Sequence, residues 1–275
     1  MAITNFIPNV WSETLYKELD KQYIAVANCN RDFEGDIKNC GSVVKICGVG
    51  KINVSEYTKN TDMSTPQEIS DSVRELNIDR ARYFNFQIDD IDKAQSTPKL
   101  LEQAMSAAAS ALSDEADSYV YSLYADAGKT YKVDGVTEDN VIYSIIEAKQ
   151  KLYENNVTDT SGIVIEVSPA IATLILKAKL LVASDNTSEL DTGCIGSISG
   201  CKVYVSNNIK VVEKDDYLYH KCLIRTKRAI SFAEQLSEIE AFRPEKRFAD
   251  AVKGLHLYGA KVVYPNEMVL FDAGI

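Results

Sequence analysis

Histidine is almost missing from this sequence, with two residues in 275, and neither lies near a Gly-x-Ser-x-Gly nucleophile motif. That leaves little to build an acid–base pair from. His220 sits in Tyr-Leu-Tyr-His-Lys-Cys and His256 in Gly-Leu-His-Leu-Tyr-Gly, where each reads as a strand histidine with a hydrogen-bonded ring. The six cysteines, at 29, 40, 47, 194, 201 and 222, contain no Cys-x-x-Cys. The pairs Cys40/Cys47 and Cys194/Cys201 share a six-residue gap, wider than structural zinc prefers. Reduced thiols packed as small apolar groups in a cytosolic product are the reading. No run of 18 apolar residues exists, so no membrane span is predicted. The opening Met-Ala-Ile-Thr-Asn-Phe-Ile-Pro lacks the basic and apolar regions of a signal peptide. Positive charge is short as well. Thirty Lys and Arg face 40 Asp and Glu, and a net charge of −10 repels DNA phosphates rather than gripping a sequence. No internal repeat is visible.

The remaining candidates for chemistry are weak. Gly48-Val49-Gly50-Lys51 lacks the full phosphate-loop spacing and the Ser or Thr after the lysine, and reads as a strand end at a bend. Asp89, Asp90 and Asp92 miss the spacing of a calcium loop and fall where a strand must stop before a helix. Lys221, Arg225, Lys227 and Arg228 form the densest basic group, read as a solvated strand edge. No catalytic residue, cofactor or metal site is predicted from these patterns.

What the sequence does have is a long polar connection. Residues 42–49 read as a strand, and so do residues 78–91, where Phe84, Phe86 and Ile88 alternate with Asn85, Gln87 and Asp89. Between them lie about 28 residues, mostly Thr, Ser, Asn, Asp, Glu and Lys. Connections beyond ~15 residues are uncommon in compact domains. As a hairpin, each arm would project ~40 Å at the extended-strand rise. Such an arm needs a partner surface outside its own subunit.

The strongest single element is a helix over 98–127, capped by Thr97 and Pro98 and ended by Gly128. Leu101, Met105, Ala108, Leu112, Ala116, Tyr119 and Leu123 mark its inner face, while Ser106, Ser110, Ser113, Asp114 and Asp117 are expected outside. A short helix after Pro8 carries Trp11, Leu15 and Leu19, and residues 27–41 are a turn-rich connector. A second helix, 138–154, points Val141, Ile142, Ile145, Ile146 and Leu152 inward. Then come a buried strand at 162–167, a helix from Ser168-Pro169 to Leu181, a loop at 183–200 and a strand at 202–206. Residues 217–242 and 248–263 read as two long strands, the second covered on both faces. The class is α+β.

This order resembles the major capsid proteins of tailed bacteriophages, the Hong Kong 97 fold, in its branch without a fused scaffolding segment. Four stretches carry the resemblance: 6–20 (Phe-Ile-Pro-Asn-Val-Trp), 79–95 (Asp-Arg-Ala-Arg-Tyr-Phe-Asn-Phe-Gln-Ile), 198–208 (Ile-Ser-Gly-Cys-Lys-Val-Tyr-Val-Ser-Asn-Asn) and 243–263. The family implies an N-terminal arm (1–40), an extended β-hairpin loop (41–92), a peripheral domain with a spine helix (93–130 and 226–275) and an axial domain (131–225). It implies self-assembly as hexamers and pentamers into an icosahedral shell around double-stranded DNA, bound without sequence specificity. Further implied partners are a separate scaffolding protein and a portal protein, with no membrane. The location would be the virion capsid, after synthesis in the bacterial host cytoplasm. Inter-subunit contacts are expected from Lys51, Tyr57, Lys59, Arg74, Arg80 and Arg82. The founding member welds a hairpin lysine to a peripheral-domain asparagine. Lys51 and Lys59 offer the amine, but 243–255 contains no Asn, so no crosslink is expected. The alternatives are an encapsulin-like compartment shell and a soluble α+β enzyme using His256 or the Asp89–Asp92 cluster.

Overall fold

Twelve described strands build most of this molecule. The computed structural model describes residues 19, 22–33, 43–49, 56, 59, 62, 71–89, 100–157, 162–178, 193–246 and 248–275. Three sheets organise them. Strands β1 (Val43–Val49) and β2 (Asp71–Asn77) form an antiparallel pair. A three-stranded antiparallel sheet runs in the order β10-β11-β3, from β3 (Arg80–Asp89), β10 (Ile230–Phe242) and β11 (Ala249–Val262). A seven-stranded mixed sheet contains β4 (Lys129–Val133), β5 (Ile163–Val167), β6 (Cys194–Ile198), β7 (Cys201–Val205), β8 (Val211–Lys214), β9 (Tyr217–Thr226) and β12 (Met268–Gly274). Its order is β4-β12-β9-β5-β7-β6, with β8 added against β9.

Among the described residues, three α-helices cover these sheets: α1 (Leu100–Ser122), α2 (Val141–Glu154) and α3 (Pro169–Lys177). Ser168 caps α3 by accepting from the Ile171 amide, with Pro169 in the first turn, where its missing N–H costs nothing. One face of the seven-stranded sheet, with Ile163, Ile165, Val203, Ile224 and Phe271, packs on Val141, Ile145 and Leu152 of α2 and Ile171 and Ile175 of α3. The opposite face offers Leu223, Met268 and Leu270 to a second core shared with α1 and the three-stranded sheet. There Met105, Ala109, Leu112, Ala116 and Val120 of α1 meet Ile230, Phe232, Val252 and Tyr258.

Several sequence expectations change. The hairpin's return strand is β2, not 78–91. The strand over 80–89 exists, but it pairs with β11 and closes the three-stranded sheet. A polar stretch hid β2, because Asp71, Ser72, Arg74, Glu75 and Asn77 flank only Val73 and Leu76. The stretch 217–242 is two strands, split by a 3-10 turn at Lys227–Ala229 where the chain passes from one sheet to the other. Strands β4, β6, β8 and β12 had no reading as strands. The buried face of α1 is rotated from the expected one, because Ser113 and Asp117 are both inside, at 2% exposure. Ile146 of α2 is exposed. The expected helix caps at Thr97 and Pro98, the helix after Pro8 and Cys40 lie outside the described residues.

Candidate assembly interface

The hairpin is rooted in its own subunit. Val44 and Ile46 of β1 point inward with Leu76 and Ile78, while Val43, Lys45 and Glu75 face out and Arg74, opposite Ile46, stays exposed. The inward set packs on Ala233, Leu257 and Val263, on the face of the three-stranded sheet away from α1. Gly259 makes this possible, since a Cβ there would stand 2.2 Å from the Asn77 carbonyl oxygen. Arg74 donates to the Val262 carbonyl at 3.1 Å. Beyond Val49 and Asp71, which face each other, the tip begins; Glu56, Lys59 and Asp62 in it are exposed.

Strand β3 offers a second surface. Among the described residues it pairs only with β11, which makes it an edge strand of that sheet. Phe84, Phe86 and Ile88 turn toward α1, and with Ala104, Ala107 and Ala108 they line an open groove of about 500 Å³. Phe84 stacks on Phe86 and lies flat over Gly254, where a Cβ would collide with its ring. The outward face carries Tyr83, which is 79% exposed. Arg82 pairs with Glu115 of α1 at 3.2 Å, and Arg80 lies over the Tyr119 ring at 4.8 Å. Both arginine side chains remain nearly half exposed.

Between the arm and the hairpin, residues 23–31 cross the junction of the two large sheets. Asp117 of α1 accepts from the Ile24 and Val26 amides at 2.9 and 3.0 Å. Arg225 of β9 donates to the Ala25 and Asn28 carbonyls at 3.0 and 2.6 Å and forks onto Glu166 of β5 at 2.9 and 3.0 Å. Glu234 of β10 accepts from Tyr23 Oη at 2.5 Å and Arg31 at 2.6 Å, and contacts His256 Nε2 at 2.8 Å. Asn30 bridges to Ser231. The turn-rich connector expected at 27–41 is therefore fixed at its start. The basic group read as a solvated edge is corrected for two of its four members. Arg225 and Glu166 are fully buried, and Lys221 is paired with Asp272 at 2.7 Å, while Lys227 and Arg228 are exposed. A signal for this existed, since Ile-Val-Ile-Glu-Val and Cys-Leu-Ile-Arg-Thr are apolar strands carrying one opposite charge each.

Burial sets the protonation of these carboxyls. It raises Glu166 despite the Arg225 guanidinium beside it. It also works on Glu234, but hydrogen bonds and charge from His256, with Tyr23 and Arg31, outweigh it and hold that carboxyl below its ordinary value. Asp117 is pushed up to about 7 by burial, against the backbone amides that favour its charge. In the unfolded chain an Asp ionises near ~3.9. Between those values the native state keeps a proton that the unfolded state has released, so this contribution to stability falls as pH rises from about 4 to about 7. Asp117→Asn stays neutral and is expected to flatten that slope in urea titrations of unassembled subunits. An unaltered slope would mean that Asp117 is ionised in the native state throughout.

Of the residues expected at contacts, Lys51 and Tyr57 lie outside the described residues, as do Asp90 and Asp92 of the acidic cluster. Lys59 is exposed, and Arg74, Arg80 and Arg82 sit at the hairpin root and the β3 edge. Among the described residues no three His, Cys, Asp or Glu side chains gather as a metal site, and no helix is long and apolar enough to cross a membrane.

No protein-family model matches the chain, and no curated protein matches it. Solved structures do. A chain from Mycobacterium phage Che8 superposes with a TM-score of 0.70 at 28% identity, covering 91% of each chain. The capsid structure of the cyanophage P-SCSP1u gives a TM-score of 0.67 at 16% identity, over 86% of this chain and 84% of that one. The capsid of Ralstonia phage GP4 gives 0.66 at 10% identity, over 88% and 85%. With a rooted hairpin, a long helix and two sheets joined through a buried arm segment, the chain has the Hong Kong 97 fold, the fold of these phage capsid structures.

Proposed function

We propose that this chain is the major capsid protein of a tailed phage and self-assembles into the icosahedral shell that encloses a double-stranded DNA genome. The observation that carries this reading is the match to the Mycobacterium phage Che8 chain over 91% of both lengths. Its role is structural rather than catalytic, and its location is the virion, after synthesis in the host cytoplasm. Hexamers and pentamers of the chain are the primary assemblies. A separate scaffolding protein, a portal protein and DNA bound without sequence preference are the further partners. The compartment-shell alternative is not better supported than the phage shell.

Two independently built sheets support a division into peripheral and axial lobes joined to an arm and an extended loop. The pairing of Met268–Gly274 within the seven-stranded sheet supports putting it with the axial lobe rather than the peripheral one. The pairing of β3 within the three-stranded sheet supports ending the extended loop at β2. The polar tip and the outer edge of β3 are where strand-to-strand and side-chain contacts between copies would form. Lys51, Tyr57, Lys59, Arg74, Arg80 and Arg82 are the proposed contact residues. Modest contacts repeated by symmetry hold a closed shell without any tight pair.

Electron microscopy of the purified protein, alone and with a co-expressed scaffolding protein, tests this reading. Closed hollow shells of uniform size are the expected result. A protein that stays monomeric or forms only small discrete oligomers under both conditions overturns it.

A further inference from the structure

Three carboxylates from three elements grip one short segment. Asp117, Glu166 and Glu234 are each no more than 6% exposed, and each meets residues 23–31 directly or through Arg225. Arg225 uses four donor contacts on Glu166, Ala25 and Asn28, and the Asn28 side-chain amide lies 3.4 Å from Glu166. Stability alone does not account for such a cluster. A buried ion pair exchanged for apolar groups of similar volume is often neutral or stabilising. What a guanidinium supplies and an apolar group does not is direction, because its planar fork fixes the two carbonyls relative to each other. Those carbonyls set the 3-10 turn at Val26–Asn28, with the arm on one side and the approach to β1 on the other.

We propose that Glu166 and Arg225 are positioning residues for assembly: they fix the path of residues 24–30, and so the direction in which the arm leaves the subunit. Shell geometry then depends on two side chains that are fully buried and touch no neighbouring copy. The shell half of this inference rests on the capsid reading above.

The test is the double variant Glu166→Met/Arg225→Met. Unassembled subunits are expected to melt within about 4 °C of the wild type, since the apolar pair refills the site. Hydrogen exchange at the Ile24, Val26, Asn28 and Cys29 amides is expected to speed up by at least about tenfold, a loss of about 1.4 kcal/mol of local protection. Particles are expected to vary in size or to remain open. Unchanged exchange, or uniform closed shells, overturns the proposal. If the double variant does not fold, Arg225→Lys decides by the same two readouts. It keeps the charge beside Glu166 but cannot span both carbonyls. If the wild type itself forms no shells, the capsid reading fails, and the exchange measurement still decides whether the pair holds the segment.

Discussion

Cutting out residues 50–70 and joining Val49 to Asp71 through an Asn-Gly turn is expected to give a folded subunit that builds no shells. Val49 and Asp71 already face each other across the β1–β2 ladder, and a two-residue turn of that type matches the twist of an antiparallel pair. Every described apolar contact of the hairpin with its own subunit comes from Val44, Ile46, Leu76 and Ile78, all of which the deletion keeps. Melting of unassembled subunits should therefore stay within about 0.5 kcal/mol of the wild type, as for surface changes away from packed features. Assembly should not. Each ~1.4 kcal/mol lost from a repeated contact weakens it about tenfold, and a shell repeats the loss at every copy. Negative-stain images and sedimentation profiles give the answer. Wild-type particles from the shortened chain would remove the tip from any part in shell building.

The largest stability loss is expected from Arg225→Ala. The change leaves the Glu166 carboxylate buried without its counter-charge and takes the donors away from the Ala25 and Asn28 carbonyls. Breaking one side of a buried pair costs about 3–5 kcal/mol, whereas replacing both sides costs far less. Urea titration of unassembled subunits should show that difference against the Glu166→Met/Arg225→Met chain. A loss below about 1 kcal/mol is the range of a solvated pair and would contradict full burial.

How much of this was legible beforehand depended on which signals were local. The helices were, because Leu112, Ala116, Ile142, Ile145 and Leu152 recur at helical spacing, and Ser168-Pro169 is a strong start signal. Strand 163–167 was legible as a short apolar run. The hairpin partner was not. Strand β2 is mostly polar, and its register is set by Leu76 meeting a sheet that lies about 180 residues further along. The split of 217–242 was hidden because β9 and β10 are both apolar; only the two sheets they join make the turn necessary. In α1, Asp117 follows polar spacing outward, yet it is buried by the backbone amides of a segment 93 and 91 residues earlier. The same distance hid the Glu166–Arg225 fork. Of the proposed contact residues, Arg74, Arg80 and Arg82 also have partners within the subunit, which no local pattern signals.

Strand β12 is also the keystone of the seven-stranded sheet. It lies between β9 and β4, and among the described residues β4 pairs with no other strand. Pulling β12 out would release β4 and open the Ile224–Phe271 core on one side. One short strand therefore couples the edge of the sheet to its centre, and neither can loosen without the other.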